Sequence, residues 1–349
     1  MFKSNKNLNK HVLHKNKKKL YKHAFHKNKK KNIPWKKFII CIVFISGIVF
    51  IGLVIIMNNY LGKINKVVLN ENDLNIKEDI SEKKSTFLQN NDIRNIALLG
   101  IDEIEGTAGR SDCIMILTLD NTHKEIKVTS ILRDSYVVIP NKEKKDKINH
   151  AYAFGGSELA LKTLNENFNL NLNQFVIMNF SSLPKIIDSI GGITLDITTD
   201  ELKYINDYIN NLNDINYTNS PNVTTSGSQK MDGTQALAYC RIRYTDGGDF
   251  ERTNRQRTVL TALIEKCKTI SASQYSSLLD ELYPIVHTNL EKSEILSLTI
   301  DFNSLKNQPL LKDRFPRDED GNGKLIEGIY YYVFDEESTT AKMHKFIFG

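Results

Sequence analysis

Residues 38–57 read FIICIVFISGIVFIGLVIIM, twenty positions without a charge. This stretch constrains the chain more than any other feature. A helix rises about 1.5 Å per residue, so twenty residues reach roughly 30 Å, the hydrocarbon thickness of a bilayer. A buried helix of a soluble protein rarely lacks a polar face. A cleaved signal peptide fits less well: the apolar run and the segment before it are both long. No small-residue cleavage site follows, only Asn58, Asn59 and Tyr60. The sequence predicts one uncleaved transmembrane helix.

Charge sets its orientation. Residues 1–37 hold 14 Lys, four His and no acid, while the remainder carries a net charge of −8 within a total of +6. The positive-inside rule places 1–37 in the cytoplasm and 58–349 outside, a single-pass protein of the cell membrane. Trp35 and Tyr60 stand where interfacial aromatics are expected. The lysine tail suits anionic lipid. The acidic outer body excludes a uniformly basic nucleic-acid binder, and no nucleic-acid partner is expected. Outside the span there are three cysteines, Cys113, Cys240 and Cys267. Their odd number and lack of metal spacing argue against a disulfide framework or a zinc site, though one pair could still bond.

The outer part divides further. Residues 58–91, rich in Asn, Lys, Glu and Asp, read as a polar stalk, and the folded domain is expected over 92–349. Short apolar runs at 94–101, 113–119, 125–132, 174–180 and 193–197 read as strands. Stretches 157–168, 181–190, 234–244 and 253–271 have helical spacing, and 274–303 suggests further helices. Strands alternating with helices predict a layered α/β domain. Residues 200–229 break the rhythm and read as an exposed insertion or hairpin. Residues 304–349 look loop-rich, apart from a strand at 330–334.

The chemistry gathers at the arginines. The chain has 37 Lys and 10 Arg, yet residues 241–257 (RIRYTDGGDFERTNRQR) contain five Arg and no Lys. A guanidinium offers a planar fork of donors suited to bidentate phosphate or carboxylate binding. Arg252, Arg255 and Gln256 would share one helical face behind Gly247 and Gly248, an arrangement suited to anions. Surface ion pairs with Asp246, Asp249 and Glu251 would explain the same arginines. Arg110 and Arg133 each stand near an acid at a strand edge. Asp102 and Asp112, at neighbouring strand ends, could share a Mg²⁺ with substrate phosphates. No P-loop, Ser/His/Asp order or zincin motif is present, and His150 reads as structural.

At these residues the chain resembles the LytR–CpsA–Psr family of Gram-positive cell-envelope enzymes. The matching stretches are NIALLGID (95–102), GTAGRSD (106–112), SILRDSYVVIP (130–140), DKINHAYAFGG (146–156), IDSIGGITLDI (187–197), DGTQALAYCRIRY (232–244) and GDFERTNRQ (248–256). They form a motif core over 94–270. Glu251 departs from the pattern, since the family often has Gly before that Arg. The resemblance implies a layered α-β-α domain with a central mixed sheet. It implies transfer of a glycopolymer, such as teichoic acid or another wall polysaccharide, from undecaprenyl pyrophosphate to a peptidoglycan hydroxyl, with Mg²⁺ or Mn²⁺. Asp102 and Asp112 would hold the metal. Arg110, Arg133, Lys147, Arg241, Arg243, Arg252, Arg255 and Gln256 would hold the pyrophosphate, and Arg110, Arg133, Arg252 and Arg255 would act in catalysis. Asp134 and Asp249 are the candidate general bases. A lipid-pyrophosphate hydrolase and a non-catalytic envelope-binding regulator are the alternatives.

Overall fold

A computed structural model of the chain describes residues 65–66, 69, 73–76, 93–102, 109–179, 181–245, 248–270 and 286–349. The predicted tail and span lie outside these residues. Among the described residues no helix is long and apolar enough to cross a membrane.

Thirteen strands are described: β1 (Asn65–Lys66), β2 (Ile93–Asp102), β3 (Arg110–Asp120), β4 (Glu125–Ile131), β5 (Tyr136–Val137), β6 (Asp146–Lys147), β7 (Phe175–Asn179), β8 (Ile193–Ile197), β9 (Gly227–Met231), β10 (His287–Thr288), β11 (Leu310–Phe315), β12 (Gly321–Ile326) and β13 (Ile329–Phe334). The helices are α1 (His150–Phe168), α2 (Ser182–Ser189), α3 (Thr199–Asn216), α4 (Gly233–Arg241), α5 (Gly248–Lys268), α6 (Lys292–Leu305) and α7 (Glu336–Phe348). Seven strands form a sheet in the order β1-β10-β7-β2-β3-β4-β11. The pairs β2–β3 and β3–β4 are antiparallel, while β2–β7 and β4–β11 are parallel, so the sheet is mixed, as expected.

Side chains alternate across a strand, and the centre of the sheet follows that rule. Ala97, Leu99, Ile101, Ile114, Ile116 and Ile131 join one core, to which α1 contributes Leu161 and Leu164 and α7 contributes Met343 and Ile347. Ile96, Leu98, Met115 and Val128 face the other way and meet Ile264 and Leu260 of α5 and Leu298 and Phe302 of α6. Helices therefore cover both faces, giving the layered α-β-α arrangement. A second core, built on α2, α3, α4, β8 and β9, carries the remaining helices.

Three sequence expectations are corrected. The stretch 200–229 is no open insertion: α3 occupies most of its first half. Thr198 accepts from the Glu201 amide and Glu201 accepts from the Thr198 amide, a reciprocal cap. Ile205, Ile209 and Leu212 then bury one helical stripe in the second core. Residues 304–349 hold the edge strand β11, the β12–β13 hairpin and α7, whose Asp335 caps it by accepting from the Ser338 amide. The stretch 58–91 is more than a stalk, because β1 pairs with β10 and Leu74 is fully buried in the main core.

Candidate active site

Near one end of the β2–β3 pair the register slips. Gly100 pairs with Cys113 but Ile101 pairs with Ser111, so Asp112 is the extra residue of a bulge. A bulge re-aims a side chain, and Gly100 lets the strands close: a Cβ there would lie 2.7 Å from the Cβ of Cys113. The Asp112 carboxylate is buried amid cations. Its Oδ2 accepts from Arg133 Nη1 at 2.9 Å and from Arg252 Nη2 at 3.0 Å, and Arg243 Nη2 lies 3.9 Å away. Its Oδ1 accepts from Asn149 Nδ2 at 3.2 Å. Burial opposes its charge, but Arg133 and Arg252 outweigh burial and hold the carboxyl below its usual range.

Each cation is placed by a different element. Arg133 follows β4, and its carbonyl accepts from the Asn149 amide at 3.3 Å, which ties it to the start of α1. Lys147 lies on β6, paired with Tyr136 of β5, and its Nζ reaches Asp134 Oδ1 at 2.6 Å. Asp134 Oδ2 lies 3.7 Å from Arg133 Nε, so one buried carboxylate orients both cations. Arg252 comes from the first turns of α5 and is 2% exposed. Arg243, in the turn before α5, is the solvent-facing member, with its side chain 52% exposed.

Not every predicted residue joins this group. Arg255 turns to the second core: its Nε donates to Glu201 Oε1 at 2.7 Å, its Nη1 to the Ile242 carbonyl at 3.1 Å, and its Nη2 to Thr245 Oγ1. It braces the turn that carries Arg243. Arg241 reaches toward α3, with Asn211 Oδ1 at 3.5 Å and the Tyr208 ring at 6.0 Å. Arg110 is exposed at the start of β3, opposite Asp102, and neither makes an ion pair among the described residues. Asp249 lies on α5, its side chain outside the description. Sequence reading missed Asn149 and Glu201, which hold Asp112 and Arg255. Their signals were the KINHAY stretch and the Thr198-x-x-Glu201 cap.

Arg252 and Gln256 also line a cavity of about 700 Å³, counting its open mouth. Its other walls are largely apolar, including Leu98, Met115, Leu237, Val259 and Leu263. Asp112 lines it as well, so the cavity borders the cation cluster. Cys113 and Cys240 line the same space, and Cys113, Cys240 and Cys267 are all free thiols. Burial pushes the Cys113 thiol up to about 12. Among the described residues no group of three His, Cys, Asp or Glu could hold a metal ion.

Fold and site together define a layered α/β domain with a cationic cluster bordering an apolar cavity, a geometry suited to an amphiphile with an anionic head. The LytR_cpsA_psr family model matches residues 59–346, and the chain belongs to that family. Relatives named polyisoprenyl-teichoic acid–peptidoglycan teichoic acid transferase TagU are similar over most of its length. The Bacillus cereus protein is 30% identical over 311 residues, covering 86% of this chain and 93% of its own. The Enterococcus faecalis protein is 31% identical over 265 residues, covering 74% and 80%. The crystal structure of B. subtilis TagT superposes with a TM-score of 0.58 at 26% identity, covering 74% of this chain and 91% of that one. The family protein YwtF (TagT) with bound octaprenyl pyrophosphate lipid gives 0.55 at 25% identity, with the same coverage.

Proposed function

We propose that the chain is a membrane-anchored phosphotransferase, its site outside the cell, that moves a glycopolymer from undecaprenyl pyrophosphate to a peptidoglycan hydroxyl. The observation that carries this reading is the Asp112–Arg133–Arg243–Arg252 group beside an apolar cavity that Asp112 and Arg252 themselves line. The cavity takes part of the polyprenyl tail, and the arginines take the pyrophosphate. The acceptor oxygen attacks the sugar-side phosphorus. The bridging P–O bond breaks, and undecaprenyl phosphate leaves with the electron pair. Arg133 and Arg252 neutralise the charge that grows on the leaving phosphate, in fixed positions that need no reorganisation. The pyrophosphate linkage itself supplies the driving force, so no nucleotide is needed.

Asp102 and Asp112 are the two carboxylates that would hold a divalent ion, although Asp112 is already engaged by Arg133, Arg252 and Asn149. Asp102 and Asp112 stand at the same end of the β2–β3 pair, and Mg²⁺ commonly combines one or two carboxylates with substrate phosphates. When bound, Mg²⁺ or Mn²⁺ would add positive charge beside the phosphates. Of the two candidate bases, Asp134 is engaged by Lys147 and Arg133, which makes it an orienter of cations. Asp249 is the residue to test for accepting the hydroxyl proton.

The test uses the full chain in detergent micelles with a lipid-pyrophosphate glycan and peptidoglycan oligomers. Acceptor-linked glycan is expected, and it is lost in an Arg133→Ala, Arg252→Ala double variant. Full transfer by that variant would sink the anion clamp. Release of free glycan phosphate at a rate independent of acceptor would make the protein a hydrolase.

A further inference from the structure

The turn that carries Arg243 has a second side. Helix α4 ends at Arg241, and Ile242 leaves it with φ −56° and ψ 127°. Arg255 fixes the turn by donating to the Ile242 carbonyl and to Thr245 Oγ1. Arg243 reaches toward Asp112. Its neighbours go to α3 instead. The Tyr244 ring lies 6.2 Å from the Tyr204 ring, and the Arg241 guanidinium lies 6.0 Å from the Tyr208 ring. Arg241 Nη1 also stands 3.5 Å from Asn211 Oδ1.

These partners belong to one stripe of α3. Glu201, Tyr204, Tyr208, Asn211 and Ile215 follow at steps of three and four residues, which keeps them on one helical face. Glu201 anchors the stripe to the turn by holding Arg255. From Tyr204 to Ile215 the stripe runs about 16 Å. Tyr204 and Tyr208 rest partly buried on the second core, while Asn211 and Ile215 are exposed. Tyr244 is 73% exposed. Contiguous apolar surface rimmed by polar groups marks an interaction site, and this one begins beside a cation of the catalytic group.

The reaction says what meets this surface. The leaving undecaprenyl phosphate carries the tail, so it lies toward the cavity wall that includes Arg252 and Gln256. Attacking and leaving oxygens stand roughly in line across the phosphorus. The acceptor hydroxyl therefore arrives from the side away from the cavity. Arg243 stands outside the cavity wall and is the most solvent-facing arginine of the cluster, and Tyr244 follows it directly. A pyranose has apolar C–H faces and a rim of hydroxyls, so an aromatic ring covers its face while Asn and Arg side chains meet its hydroxyls. We infer that Tyr244, Tyr204, Tyr208, Arg241 and Asn211 form the acceptor surface. A peptidoglycan glycan strand lies on it along α3, with one hydroxyl beside Arg243. The inference rests on the transferase reading above.

The test measures transfer by the full chain in detergent micelles, with one lipid-pyrophosphate glycan as donor and short or long uncrosslinked peptidoglycan glycan chains as acceptors. Tyr244→Ala is expected to raise KM for the long acceptor about fivefold, with donor KM and Tm unchanged. Tyr244→Phe keeps the ring and should keep most of the affinity. Asn211→Ala, farther along α3, should weaken the long acceptor more than the short one. An unchanged acceptor KM in Tyr244→Ala overturns the surface. So does a raised donor KM with the acceptor unaffected, which would put the donor's own sugars there. Phe154→Ala removes another exposed ring, on α1, and should change neither KM. A loss confined to that variant would move the acceptor to α1 and refute the α3 surface. If Tyr244→Ala lowers Tm, Asn211→Ala decides, and an unchanged KM for the long acceptor then refutes the surface. If the wild type transfers nothing, the transferase reading falls. Calorimetric titration of the long chains into donor-free protein then decides the surface: weaker binding by Tyr244→Ala supports it, while equal binding, or none by the wild type, refutes it.

Discussion

Replacing Asp112 by Asn tests the centre of the site most directly, because it keeps the shape and the Asn149 contact while removing the charge. In the wild type one carboxylate oxygen serves Arg133 at 2.9 Å and Arg252 at 3.0 Å. Without it, Arg252 keeps a buried positive charge but loses the Asp112 carboxylate that faces it. Breaking a buried pair from one side costs about 3–5 kcal/mol. Arg133 and Arg243 are 19% and 52% exposed on their side chains, so water compensates them in part. The lower end, about 3 kcal/mol, is the expected loss. For a domain of this size that lowers Tm by roughly 6–12 °C. The same change leaves the cluster one unit more positive, so an added anion should repair it. Inorganic pyrophosphate at about a hundred times its Kd returns about 2.7 kcal/mol. The assay is thermal melting of the full chain in detergent with EDTA, with and without pyrophosphate. A variant melting within about 2 °C of wild type refutes the buried counter-ion argument. So does pyrophosphate that stabilises the wild type more than Asp112→Asn.

Arg255 and Glu201 form a second buried pair, 3% and 7% exposed on their side chains. Arg255→Met or Glu201→Gln alone should cost about 3–5 kcal/mol, and the double variant less than their sum. Melting curves check this, and lost donor binding in Arg255→Met with no change in Tm would show that the arginine contacts substrate instead. In acid, stability should fall. Asp112 and Asp120 have lowered folded pKa values, Asp112 through its arginines and Asp120 through the His123 amide and Lys127, each against a burial penalty. Their contribution is complete above the unfolded value near 3.8 and is lost as pH drops through the folded values. Urea titrations at pH 6 and pH 3 should differ accordingly, and equal stability at both would contradict the lowered values. In the cavity, Leu237→Trp should raise KM for a long polyprenyl donor several-fold and spare one with a short prenyl chain. Equal effects on both chains would remove the tail from this cavity.

The central strands β7, β2, β3 and β4 were readable because they are short apolar runs with faces that alternate, as Ile96 to Ile101 do, while the outer strands β1, β10 and β11 were not. The misread parts follow from weaker patterns. In α3 the apolar side chains buried deeply are only Ile205, Ile209 and Leu212, a narrow stripe among Asn and Asp. In β12 (GNGKLI) every side chain is at least partly exposed and no apolar run reveals the strand, whereas its partner β13 (IYYYVF) was readable. Leu74 reaches the core from a polar stretch, and nothing beside it in sequence announces that contact.

The arginines show why a site is less legible than a fold. Arg252 and Arg255 stand three residues apart, so both begin on one side of α5. Their guanidiniums end in different places, because each finds its own buried acid. Asp112 draws one to the sheet and Glu201 draws the other to α3. Helical periodicity fixes where a long side chain starts, and counter-ions far away in sequence fix where it ends. The pairing also bears on chemistry. With Asp112 in place, Arg133 and Arg252 are held together on one carboxylate oxygen before any substrate arrives. On the transferase reading proposed above, an aspartate that looks like a competitor of the anion is what keeps its two arginines ready for it.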